Sequence, residues 1–180
     1  MKTPKKPETM KLSTLLINEE LFKLHSPVTG NTDLTEFLPY ISIAQELYIS
    51  PLLGDSLMSE LKSQIDGNSL TETNSILVEK ISPVLSFFAV YQGLPFHWAS
   101  IVNKGITIRE SENSRGVNIN DVAQLRQWIR NDADIFKSGL LHFLCANKDT
   151  YPLWKPDKDY CSPCEKASSS LDSGFYFPNK

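Results

Sequence analysis

With three cysteines among 180 residues, the chain cannot close all of its thiols into disulfides, and a reducing compartment is the expected setting. Glycine is sparse as well. The eight glycines form no cluster and no Gly-x-x-x-x-Gly-Lys occurs, which removes the usual phosphate-cradling loop. The sequence contains no Gly-x-Ser-x-Gly elbow, and none of its three histidines stands at a recognisable spacing from a serine and an acid. His25 falls in an N-terminal segment, and His97, between Phe96 and Trp98, reads as a core histidine. A large positive excess is also missing: a net charge of −3 argues against a dedicated DNA-coating protein. The basic start around Lys2, Lys5 and Lys6 is followed by no apolar signal-peptide core and reads as a solubilising arm. Neither an enzyme nor a cofactor is expected.

Apolar residues make up 41% of the chain, too many for a wholly disordered protein. From Ile81 to Asn103 no charged residue occurs, a run long enough to cross a bilayer. Pro83, Gln92, Gly93, Pro95 and His97 interrupt it, and such groups are costly in lipid. The run therefore reads as the buried centre of a helical core, with no membrane span.

The expected fold is mainly α: a small helical bundle with one β-hairpin and extended N- and C-terminal arms. Residues 1–32 read as the first arm, with a short helix near 18–24. Residues 33–146 form the helical domain, and 147–180 the second arm. Pro39 suits only a first turn, which places a helix start at about 35–37, with Ile41, Ala44, Leu47 and Tyr48 on one face. Pro51 is expected to stop that helix, with Ser50 capping the next, where Leu53, Leu57, Leu61 and Ile65 recur at steps of four. Gly54 has no cap or turn role in this scheme, so it should serve a close approach by another backbone. Ser69-Leu70-Thr71-Glu72 has the form of a capping box. The helix it opens should kink at Pro83 and break at Gly93-Leu94-Pro95.

Alternation at Ile106-Thr107-Ile108 and again at Val117-Asn118-Ile119 predicts a β-hairpin over about 105–119. Such a hairpin is marginal alone and needs helices or a neighbouring chain to pack on. Asn120 should cap a last helix over about 121–146. Its inward stripe would hold Val122, Leu125, Ile129, Ala133, Phe136, Leu140 and Leu144, leaving Trp128, Ile135 and Leu141 outside. One small core does not need that much apolar surface. The final stretch offers Tyr151, Trp154 and then Phe175, Tyr176 and Phe177, which read either as a disordered tail or as an arm docking on a partner.

His142-x-x-Cys145 followed by Cys161-x-x-Cys164 has zinc-ribbon-like spacing and uses every cysteine in the chain. Cys145 also ends an apolar stripe, where a buried structural thiol belongs. A structural zinc site is thus open but not favoured. Its functional counterpart is a zinc-stabilised module binding protein or nucleic acid.

The run from Ile43 through Gly54, with Ala44, Gln45, Pro51, Leu53 and Gly54 as its marked positions, resembles the head–tail connector (adaptor, or ring) proteins of tailed bacteriophages. The likeness is to those of crAss-like and other phages of Bacteroides-type bacteria. It extends over about residues 33–154 through a matching order of elements and the Tyr151-Pro152-Leu153-Trp154 sequence. It implies a non-catalytic virion protein at the head–tail junction, assembled in the host cytoplasm. The implied partners are about twelve copies of itself in a ring, a portal protein, other tail or ring proteins, and passing DNA held without sequence specificity.

Overall fold

The computed structural model describes residues 14–28, 32–102, 105–108 and 118–155. Helix α5 (Glu72–Trp98) organises them. Between Ile81 and Tyr91 every residue except Pro83 and Phe87 is buried, although successive residues of a helix point about 100° apart. A helix apolar all round belongs at the centre of a bundle, and here α1 (Glu19–His25), α2 (Leu38–Ala44) and α6 (Ile119–Ala146) lean on it. The described part is mainly helical, and none of its helices is long and apolar enough to cross a membrane.

α2 continues beyond Pro51. A π-turn over Gln45–Ile49 leads into α3 (Ser50–Leu53), with the Ser50 N–H bonding to the Gln45 carbonyl. Pro51 has no N–H to give, and its ring would crowd the carbonyl one turn back. The wider π-turn just ahead of it absorbs the conflict, so the chain does not stop there. The break comes at Gly54, whose φ of 78° and ψ of 158° lie in a region reserved for glycine, and α4 (Asp55–Asp66) follows.

α5 is capped two residues later than the sequence pattern suggests. Thr71, not Ser69, accepts from the Asn74 N–H at 3.3 Å. Gln64 of α4 accepts from the Thr71 N–H and from the Asn74 side chain, so the preceding helix supplies the rest of the cap. The helix also runs through both Pro83 and Pro95 and does not end at Gly93. Gly93 has a packing role instead: a Cβ there would lie 2.9 Å from the Tyr40 ring. Beyond Trp98 the backbone of β1 (Ala99–Val102) pairs antiparallel with β2 (Gly105–Ile108), Ala99 opposite Ile108. β2 thus pairs backwards along the chain. Of the return strand expected at 117–119, Asn118 is the N-cap of α6 and Ile119 its first residue, while Val117 lies outside the described residues.

The segment expected to be an N-terminal arm is, from Thr14 to His25, part of the core. Leu16, Ile17 and Phe22 are buried, and α1 forms near where its short apolar run predicted a helix. A buried glutamine holds this segment. Gln45 Nε2 donates to the Thr14 carbonyl at 3.0 Å, and its Oε1 accepts from the Leu16 N–H at 2.8 Å. Replacing Gln45 with Leu would leave a buried N–H unsatisfied, which costs about 1–3 kcal/mol. The expected result for Gln45→Leu is a lower urea midpoint and earlier proteolytic cutting around residues 14–18; an unchanged midpoint would refute the clamp.

Candidate assembly interface

The marked positions run from the end of α2 to the α3–α4 corner, and at that corner the chain meets the stretch after α6. Ala44, Gln45 and Leu53 are fully buried, and Gly54 turns the corner between α3 and α4. Lys155 passes so close that a Cβ on Gly54 would fall 1.9 Å from its carbonyl oxygen. The expected close approach is present, together with the turn role that helical spacing had not suggested. Trp154 Nε1 donates to the Leu52 carbonyl at 3.0 Å, and the Tyr151 hydroxyl donates to the Thr73 carbonyl at 2.9 Å. Both rings are buried, and burial raises the Tyr151 pKa above the ordinary phenol value. Tyr151 and Trp154 therefore dock on their own chain. Phe175, Tyr176 and Phe177 lie outside the described residues.

α6 is fixed to α5 by a clasp that spacing alone did not reveal. The Arg126 guanidinium sits 4.0 Å from the centre of the Tyr91 ring, and its Nε donates to the Tyr91 carbonyl at 3.2 Å. Arg130, one turn on, donates to the Tyr91 hydroxyl at 3.1 Å; that hydrogen bond raises the Arg130 pKa further, keeping it charged. Two arginines four residues apart on α6 were the available signal, but nothing in the sequence joined them to Tyr91.

The opposite side of α6 faces solvent. Ile129, Ala133, Leu140 and Leu144 are buried as expected, and Leu141 joins them. Leu125 and Phe136, expected inward, are more than a third exposed because they lie on the shoulder of the buried stripe. Trp128 is 56% exposed and Ile135 68%. These four side chains share one outer side of α6 as two apolar pairs, Leu125 with Trp128 and Ile135 with Phe136, separated by a turn carrying Asn131 and Asp132; Leu125 also walls a cleft of about 330 Å³ with Val28, Phe37, Leu94 and Ile129. A second, smaller apolar edge lies on α2 and the π-turn, where Ile43 and Leu47 are half exposed.

The cysteine and histidine set is not gathered among the described residues. His142 is exposed on α6, Cys145 is half-buried and disulfide-bonded, and Cys161 and Cys164 lie outside the described residues. A disulfide takes the Cys145 sulfur out of thiolate ligation. Among the described residues no three His, Cys, Asp or Glu side chains are placed to hold a metal ion.

The profile of a family of unknown function, DUF6712, matches residues 49–164, well over half of the chain. The chain belongs to the DUF6712 family. No curated protein and no solved structure matches it. The DUF6712 match begins inside the π-turn and takes in the Pro51–Gly54 corner, α4 to α6 and the Tyr151–Trp154 docking stretch. Gln45, with the N-terminal segment it clamps, and Ile43 and Leu47 precede it.

Proposed function

We propose that this chain is a structural subunit of a tailed-phage particle, acting by assembly and not by catalysis. In this reading about twelve copies form a ring at the head–tail junction, joining portal to tail components and extending the channel for DNA. The observation that carries the reading is the outer face of α6, where Trp128 and Ile135 stand in water on a helix already anchored from behind. Monomers seldom leave large neighbouring apolar side chains uncovered, and such strips mark protein contacts. The positions that carry the phage-connector resemblance also suit a scaffold: Gln45 clamps the N-terminal segment, Leu53 is buried, and Gly54 seats the stretch after α6. A two-stranded β segment after α5, weak alone, is the kind of element a neighbouring copy would stabilise. A slightly negative subunit suits a channel through which DNA slides without sticking.

Mixing the full chain with rings of its cognate portal protein and imaging the particles in negative stain tests the role. The expected result is an added tier of density coaxial with the portal, absent when portal is omitted. Portal rings that stay bare at every concentration would overturn the proposal.

A further inference from the structure

We infer that copies of this chain join head to tail, the outer strip of α6 on one copy seating against the α2 edge of the next. This rests on the assembly reading above and specifies its contact. Trp128 and Ile135 stand two turns apart on α6, and Ile43 and Leu47 one turn apart on α2 and the π-turn. The two helices lean on different sides of α5. Phe87 packs on Phe136 of α6, whereas the next residue, Phe88, stacks on Tyr48 of the π-turn at 3.9 Å. Consecutive residues of a helix diverge by about 100°, so one subunit turns two unlike apolar faces in different directions. Unlike faces satisfy each other through heterologous contact.

Area permits this pairing, and charge favours it over the alternative. The α6 strip and the α2 edge together expose about 700 Å² of apolar side chain, by the usual size of such groups. At the ordinary apolar share of an interface, the whole contact would bury roughly 1,100 Å², just above what a specific contact must clear. A twofold contact of α6 with itself would also bury enough, but Asp132 lies between Trp128 and Ile135 and would meet its own copy across the axis. On the α2 edge, Glu46 is instead paired with Lys62 at 2.8 Å, so it presents a neutralised flank to Asp132.

Two double variants of the full chain separate the faces: Trp128→Glu with Ile135→Glu, and Ile43→Glu with Leu47→Glu. All four positions are solvent-exposed, and circular dichroism checks that each variant keeps its helices. In sedimentation velocity the native chain should grow with concentration into a series of oligomers. Each variant alone should stay monomeric, with self-association weakened at least tenfold, and an equimolar mixture should form a one-to-one pair that grows no further. Growth by either variant alone, a mixture that stays monomeric, or a native chain that is monomeric up to its solubility limit would overturn the inference. Capture by portal without this pairing would overturn the contact while sparing the junction role; pairing without capture would support the contact and count against that role.

Discussion

Gly54→Ala should lose about 2–6 kcal/mol of stability. The backbone at this corner has φ 78° and ψ 158°, where a Cβ costs about 1–3 kcal/mol by itself. The added methyl would also need the space of the Lys155 carbonyl, 1.9 Å away, and backbone cannot rotate aside as a side chain can. Overpacking of that kind costs roughly another 1–3 kcal/mol. For a chain of this length the sum corresponds to a fall of about 10 °C in melting temperature. Gly139→Ala is the matched control. It lies inside α6 with nothing within 4 Å of its Cβ position, so alanine there should be neutral or stabilising by up to about 1 kcal/mol. Paired thermal and urea melts followed by circular dichroism read both, and equal midpoints for the two variants would refute the account of the corner.

Truncating Trp154 should cost as much by a different route. The indole is 6% exposed and its N–H is held by the Leu52 carbonyl, so Trp154→Ala removes a large buried surface and leaves a cavity, worth about 3–5 kcal/mol. Trp154→Phe keeps most of the packing but strands that carbonyl, at about 1–3 kcal/mol. The expected order of urea midpoints is native, then Phe, then Ala. Proteolytic cutting after α6 should rise in the same order, because the docking stretch loses its anchor. A Phe variant as stable as the native chain would show that the hydrogen bond contributes nothing.

The helices were legible because their apolar periods are long and regular. The steps of four from Leu57 to Ile65 and, Phe136 apart, the stripe from Ile129 to Leu144 needed no tertiary knowledge, since the face they mark is the face turned to the core. Helix ends were less so. Pro51 reads as a stop only if every turn is α-helical, and a local π-turn rescues it. Ser69 and Thr71 both offer a hydroxyl ahead of Glu72, and Gln64, seven residues before Thr71, helps decide between them. The extent of surplus apolar surface on α6 was foreseen, but its membership was not. Leu125 and Leu141 exchange places because a stripe fitted by spacing ignores where α5 touches the helix. The Tyr91 clasp and the Gln45 clamp join residues far apart in sequence, 35 and 29 positions in the Arg126 and Leu16 bonds, so no local pattern reports them.

The seating of Lys155 against Gly54 turns the end of the described chain into a fixed mooring point. The stretch after α6 is thereby carried back across the molecule, so Lys155 lies at the α3–α4 corner and not at the tip of α6. Freeing Trp154 would slip that mooring, so the corner and the stretch ending at Lys155 should loosen together.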